Sequence, residues 1–197
     1  MTIVQDIQNA VVIASPVAIY VSIAHWRWRL SWREIAYRLG LRLGDGRSYL
    51  YALIAAVLAG VMCVSVAAWT SSFKGSMIAP FVGVAPTAAI LSQILSYGFL
   101  ATGIPEELIF RGLIAGALFR RMSYWKANGL QAVIFMLPHL LLLFIAPRLW
   151  PLALCLPLAL GLVAGWLRQR SGSIGPSVLV HAISNAAGAL SVLAWTR

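Results

Sequence analysis

Two adjacent glutamates, Glu106 and Glu107, stand in the apolar stretch GIPEELIFRGLIAG, in a chain that has only five acidic residues. Arg111 follows Glu107 by four positions, a spacing at which two side chains on one helix face can form an ion pair. Glu106 points about 100° away around the helix and is left free of that pair. A carboxylate that lies in apolar surroundings and is not part of an ion pair is suited to accept a proton from a water molecule.

Two of the three histidines also lie in apolar stretches, His139 in FMLPH and His181 in HAISN. The imidazole of His139 can share proton transfer with Glu106. His181 and Asn185 are four residues apart on one predicted helix, and both can donate hydrogen bonds to a negatively charged oxygen. A structural interpretation stays open, since membrane histidines and asparagines also join helices and a Glu–Arg pair can be a buried bridge.

The depth of these groups favours the chemical interpretation. At about 1.5 Å per residue, Glu107 and His139 lie roughly 20 Å from the basic ends of their predicted helices. His181 and Asn185 lie roughly 15–25 Å from theirs by the same measure. A charge near the middle of a bilayer costs about 3 kcal/mol or more to place there. Polar groups on three helices at matching depth therefore predict one functional polar layer.

The elements that carry these residues are predicted to be transmembrane helices. The chain has 61% hydrophobic and 10% charged residues and a mean hydropathy of +0.87, which excludes a water-soluble globular protein. Windows long enough to cross about 30 Å of hydrocarbon lie at 7–25, 49–68, 87–121, 127–146, 149–167 and 174–195. We therefore predict an all-α polytopic bundle of about six spans. Gly103 and Pro105 predict a kink in 87–121, with a second helical segment beginning at Pro105.

The distribution of charge predicts the orientation of this bundle. Eleven of the 15 basic residues fall on one side if the N-terminus lies outside: Arg27, Arg29, Arg33, Arg38, Arg42, Arg47, Arg120, Arg121, Lys126, Arg168 and Arg170. Only Lys74, Arg148 and Arg197 fall on the other side. This is the positive-inside pattern, so the net charge of +10 indicates anionic lipid at the basic face and no nucleic-acid partner. The eight tryptophans lie near predicted span ends, as interfacial residues do: Trp26, Trp28, Trp32, Trp69, Trp125, Trp150, Trp166 and Trp195.

Three other features bear on the organisation of the chain. Residues 26–44 alternate Arg and Trp with apolar residues, which predicts an amphipathic helix in the membrane interface, ended by Gly44-Asp45-Gly46. Residues 69–86 are rich in Gly, Ser and Pro and predict an outer loop or a re-entrant segment. Cys63 and Cys155 lie in apolar spans without a CxxC spacing, so we expect two small buried side chains and no disulfide.

Three short motifs follow one another along the predicted spans. They are E-E-x-x-x-R (Glu106, Glu107, Arg111), F-x-x-x-H (Phe135, His139) and H-x-x-x-N (His181, Asn185). In this order they resemble the motifs of the CAAX protease and bacteriocin-processing (CPBP) family. These are intramembrane glutamic endopeptidases related to the type II CAAX prenyl protease.

The resemblance implies a role for each matching residue. Glu106 and His139 would activate the hydrolytic water, while His181 and Asn185 would form the oxyanion site. Glu107 and Arg111 would support the helix of the first motif, and Phe135 would pack beside the site. The likeness implies a catalytic core at 87–197, preceded at 1–86 by a helix pair with a basic connector, within a single membrane domain.

The function expected from this resemblance is that of an intramembrane endopeptidase in a bacterial inner membrane. It would process the C-terminal region of a membrane-associated or exported protein, with a CAAX-like terminus or a sorting tail, and no cofactor is expected. Two alternatives stay open. One is a zinc-dependent membrane protease, because two histidines and a glutamate are credible zinc ligands. The other is a non-enzymatic bacteriocin-immunity or transport protein that uses the polar layer for binding or proton relay.

Overall fold

The computed structural model describes residues 3–69, 73 and 76–193. Within these residues the regular structure is helical and no strand occurs, so the predicted all-α class is confirmed. The helices that carry the fold are α1 (Ile3–Arg27), α2 (Trp32–Leu39), α3 (Gly46–Trp69), α4 (Ala88–Phe119), α5 (Tyr124–Ile145), α6 (Pro151–Ser171) and α7 (Gly175–Ser191).

Five of these helices, α1, α3, α4, α5 and α6, are long and apolar enough to cross a membrane. Each corresponds to one predicted window. The sixth window, 174–195, corresponds to α7, which has 17 residues and is about 25 Å long. The end of that window, like Lys74 and Arg197 of the charge analysis, lies outside the described residues.

The bundle is built around α7, which packs against α3, α4 and α6. The side chains between α3, α6 and α7 are mostly small: Ala52, Ala56, Ala59, Leu160, Ala164, Leu167 and Val180. Small residues let the backbones of membrane helices approach closely, and the resulting van der Waals contacts hold the helices together in lipid. This packing fixes the position of α7, and with it the third motif.

The predicted amphipathic helix over 26–44 is wrong in its extent. Its first residues belong to α1, and the chain then turns through Arg29, which has a positive φ of 57°. α2 begins only after Ser31, whose hydroxyl accepts the backbone N–H of Glu34, and it ends at Gly40 in the left-handed conformation. The amphipathic pattern does not show these caps, because helix ends depend on single residues.

The amphipathic helix was predicted to end at Gly44-Asp45-Gly46, but α3 begins there instead. The Asp45 carboxylate accepts the backbone N–H of Ser48 at 3.0 Å and its hydroxyl at 2.7 Å. An aspartate in this position satisfies free N–H groups of the first turn. Asp45 therefore begins α3.

The basic segments that were predicted to share one side of the membrane lie together. Arg42 donates to the carbonyl oxygen of Gly172 at 2.8 Å, and Arg168 donates to that of Arg38 at 3.1 Å. The loop after α2 and the end of α6 are therefore at the same end of the bundle, as predicted, while the side of the membrane that this end faces stays a prediction.

The two cysteines differ in exposure. Both are free, but Cys63 is buried and Cys155 is exposed on the outside of the bundle. The expectation that both are buried is therefore wrong for Cys155. The lipid-facing side of a membrane helix is as apolar as the packed side, so an apolar sequence does not reveal which side a residue occupies.

The segment between α3 and α4 folds back onto the bundle in its described part. It contains one short 3-10 turn at Ala79–Phe81. The ring of Phe81 is buried and lies 5.8 Å from that of Tyr97 in α4. The choice between an outer loop and a re-entrant segment stays a prediction.

Candidate active site

The first motif lies on α4, which is one continuous passage, as predicted for 87–121. Within it an α-helical segment begins at Ile104, with Pro105 in its first turn as predicted. Two π-helical stretches, Tyr97–Gly103 and Leu108–Ala115, lie on either side of the proline. Proline has no backbone N–H and breaks the ladder of an α-helix. The wider π turn accommodates it, because the N–H of Ile104 bonds the carbonyl of Phe99, five residues back. Such π turns are frequent at functional sites.

Two glycines let α4 touch α7 directly. A Cβ added to Gly98 would lie 2.6 Å from the carbonyl oxygen of Ala182, and one added to Gly103 would lie 3.0 Å from the Cβ of Ala182. A side chain at Gly98 would therefore push the helices apart. The contact brings His181, the residue before Ala182, beside the first motif.

Glu107 connects the first and third motifs. Its Oε1 atom accepts from Nη1 of Arg111 at 2.8 Å, which confirms the predicted ion pair. The same oxygen lies 2.8 Å from Nδ1 of His181, a bond that the sequence analysis did not predict. Glu107 and Arg111 are fully buried, and His181 is 3% exposed. One carboxylate therefore orients both an arginine on its own helix and a histidine on α7.

Phe135 lies beside the site, as the resemblance implied. Its ring centroid is 4.1 Å from the guanidinium carbon of Arg111, a cation–π contact that stabilises a charge with few hydrogen-bond partners. The ring also meets the imidazole of His181 edge-on, at 5.5 Å and 85°. Phe135 is 1% exposed and packs the second motif against the other two.

The backbone of α5 orients His139. Its Nδ1 atom lies 3.0 Å from the carbonyl oxygen of Phe135, one turn earlier. A carbonyl can only accept, so Nδ1 carries the proton in that bond, and in the neutral ring Nε2 keeps its lone pair. His139 lines the cavity described below, so the second motif presents an imidazole with a free lone pair to it.

Side-chain amides in the part of α5 that precedes His139 hold this helix against α6. Gln131 donates to the carbonyl of Gly161 at 2.7 Å, and Asn128 donates to that of Leu162 at 3.1 Å. A Cβ added to Gly161 would lie 2.9 Å from Ala132, so the two backbones are in close contact there. Interhelical hydrogen bonds of this kind fix the rotation of a membrane helix, and here they set the direction of His139.

Glu106 occupies a different environment from its neighbour. Its side chain is 19% exposed, and its Oε2 atom lies 3.8 Å from Nε2 of His181. That distance is longer than a direct hydrogen bond. No hydrogen bond within the described chain ties this carboxylate to another side chain, so it is open to a ligand, as the helical spacing predicted.

The four groups predicted to take part in chemistry line one cavity of about 520 Å³: Glu106, His139, His181 and Asn185. Phe135 is also part of its wall, while Glu107 and Arg111 lie behind it, fully buried. The remaining wall is largely apolar and comes from α1 and α3 to α7, together with residues 76–78. The predicted polar layer is thus a polar patch at the side of an apolar pocket.

Sequence reasoning missed Thr102, which also lines this cavity. Its Oγ1 atom accepts from Nδ2 of Asn185 at 2.8 Å. Thr102 precedes Glu106 by four residues, so helical spacing could have placed it on the same face. It was missed because threonine is common in membrane helices and belongs to none of the three motifs.

The zinc alternative stays a prediction. Within residues 3–69, 73 and 76–193, no group of three or more His, Cys, Asp or Glu side chains is arranged to hold a metal ion. Glu106, His139 and His181 share the cavity but do not form such a group. We therefore derive no step through a metal.

A known protein family matches the part of the chain that contains the three motifs. A model of the family described as type II CAAX prenyl endopeptidase Rce1-like matches residues 87–187, just over half of the chain. This range includes all seven residues of the three motifs. No curated protein and no solved structure gives a significant match.

Proposed function

Since the chain belongs to the Rce1-like family of type II CAAX prenyl endopeptidases, a family of membrane proteases that act on protein substrates, we propose a glutamate-dependent mechanism for it. Hydrolysis would use a water molecule that Glu106 and His139 activate, without a covalent acyl-enzyme. One observation carries this proposal. Of two adjacent carboxylates, Glu107 is taken up by Arg111 and His181, whereas Glu106 faces the cavity.

In the first step, the water oxygen forms a bond to the carbonyl carbon of the scissile peptide. Glu106 accepts one proton of that water, and Nε2 of His139 is oriented to accept a hydrogen bond from it. The electron pair of the carbonyl double bond moves to the oxygen. In the second step the C–N bond breaks, and the proton held by Glu106 passes to the leaving amine, so that one water is consumed and two chain ends form.

The oxyanion would be stabilised by His181 and Asn185. The bond to Glu107 uses the Nδ1 proton of His181, so a second proton at Nε2 is needed for donation into the cavity. With that proton, the charges of Glu106, Glu107, Arg111 and His181 sum to zero. A neutral cluster is far less costly than a net charge in a low-dielectric site. Preorganised donors of this kind lower the barrier most where water is excluded.

A serine or cysteine nucleophile is disfavoured by the same geometry. The Ser184 hydroxyl donates to the carbonyl of Val180 at 2.6 Å, so its proton is bound to the backbone and not to a base. Cys63 is buried, and its thiol lies 4.0 Å from the carbonyl of Ser184. Neither residue has the activating partner that nucleophilic catalysis requires.

The cavity size bears on the substrate. The cavity of about 520 Å³ is lined by side chains from several packed helices. We propose that a segment of the substrate enters it in an extended conformation, as a C-terminal segment can do. We propose the C-terminal region of a membrane-associated or exported protein, with a CAAX-like end or a sorting tail, in a bacterial inner membrane whose anionic lipids face the basic end.

Comparison of protein termini in host-cell membranes tests this function. Cells carrying the wild-type chain should contain specific termini that are missing in cells carrying Glu106→Gln at equal expression. Those termini would identify the substrate and the scissile bond. If the wild type has a phenotype that Glu106→Gln preserves, with no change in any terminus, the peptidase proposal is wrong and a binding or transport role replaces it.

A further inference from the structure

The hydroxyl of Thr102 is committed to the backbone of its own helix. Thr102 is 5% exposed, and its Oγ1 atom lies 3.0 Å from the carbonyl oxygen of Tyr97 and 3.1 Å from that of Gly98. Carbonyl oxygens only accept, so the single hydroxyl proton is shared between these two. The other side of Oγ1 therefore presents lone pairs and can only accept.

This commitment determines the direction of the Asn185 amide. Nδ2 of Asn185 lies 2.8 Å from Oγ1 of Thr102. An asparagine amide can be rotated by about 180° with almost no change in shape, and its partners decide the orientation. In the rotated form the amide oxygen would meet Oγ1 with no proton between them. Thr102 thus selects the form in which nitrogen faces it.

We infer that Thr102 is a positioning residue for catalysis, acting through Asn185; this inference rests on the oxyanion role proposed for Asn185. One N–H of the amide is held by Thr102, which leaves the second N–H for the developing oxyanion. In the rotated amide, the carbonyl oxygen would take the place of the nitrogen and would repel the oxyanion.

The test uses a double-mutant cycle on the full-length protein in detergent micelles, with a peptide that spans the terminus identified by the Glu106→Gln comparison. Thr102→Val removes the hydroxyl at nearly constant shape. We expect kcat to fall roughly 10- to 100-fold, with KM changed by less than about 2-fold, because the lost interaction matters mainly in the transition state. Thr102→Ser should restore most of the lost rate.

The second half of the cycle separates positioning from a merely structural role. Asn185→Ala alone should lower kcat by about 10²–10³-fold, the usual effect of losing one oxyanion donor. Adding Thr102→Val to Asn185→Ala should cause little further loss, because the amide it positions is gone. If Thr102→Val does not fold, Thr102→Ala carries the same prediction.

Each contrary outcome has one meaning. Equal losses from Thr102→Val in the wild-type and Asn185→Ala backgrounds would overturn the inference, since the threonine would then act independently of Asn185. The inference would also be overturned if Thr102→Val keeps the wild-type kcat while Asn185→Ala has a reduced kcat. If Asn185→Ala itself keeps the wild-type kcat, the proposed oxyanion role fails first, and the inference fails with it.

Discussion

Substitution of Glu107 by Gln should destabilise the fold strongly. The change keeps the shape of the side chain but removes the charge opposite Arg111, which is fully buried. Within the described chain, Nε and Nη2 of Arg111 have no hydrogen-bond partner, so the carboxylate at 2.8 Å is its main compensation, together with the ring of Phe135. Breaking a buried pair on one side costs about 3–5 kcal/mol. For a chain of this size that corresponds to a fall in Tm of roughly 6–20 °C.

The assay is thermal unfolding of the purified protein in detergent, followed by retention of the monodisperse peak after heating. The matched control is Glu106→Gln, the same chemical change one residue earlier. Its carboxylate is partly exposed and 3.8 Å from His181, and His181 can release its Nε2 proton to keep the cluster neutral. Tm should therefore change little while peptidase activity is lost. The two adjacent substitutions should therefore separate stability from catalysis.

A compensating variant tests the electrostatic origin of the loss. Adding Arg111→Met to Glu107→Gln removes the unpaired charge and should recover several kcal/mol of the roughly 3–5 kcal/mol lost. Equal Tm values for Glu107→Gln and Glu106→Gln would refute the division of labour between the carboxylates. Absence of any recovery in the double variant would show that the loss is not caused by the uncompensated arginine.

Two further predictions concern packing and metal dependence. Gly98→Ala should cost about 1–3 kcal/mol of stability and most activity, because its Cβ would lie 2.6 Å from the carbonyl oxygen of Ala182. Gly129→Ala, where a Cβ meets nothing within 4 Å, is the control, and equal Tm values for the two would contradict the close contact between α4 and α7. Peptidase activity should persist in a strong chelator, and a loss that added zinc restores would identify a metal enzyme instead.

The ion pair and the separate direction of Glu106 were predictable because both depend only on helical spacing. Residues four apart meet on one face, whether or not the rest of the fold is known. The bond between Glu107 and His181 was not predictable in this way. It joins residues 74 positions apart and depends on how closely α4 and α7 approach, which Gly98 sets through a backbone contact.

The features that the sequence did not predict have separate physical origins. The helical segment at Pro105 was predictable because proline fits the first turn of a helix, whereas the π turns on either side of it were not foreseen. The exposure of Cys155 was not foreseen because lipid removes the contrast between inner and outer helix faces. The ends of α2 depend on the caps at Ser31 and Gly40, which an amphipathic pattern does not show.

The pairing of Glu107 with Arg111 on one helix also affects how the chain enters the membrane. An arginine alone at the centre of a span disfavours insertion by about 2.5–3.5 kcal/mol. Because its counter-ion Glu107 is four residues away in α4, the two charges can enter the bilayer as a neutral pair before α7 has been synthesised. His181 then meets a carboxylate that is already in place, so the proposed hydrolytic centre is assembled only when α7 docks. A nascent chain therefore has the charged residues of α4 in the membrane before the proposed site is complete.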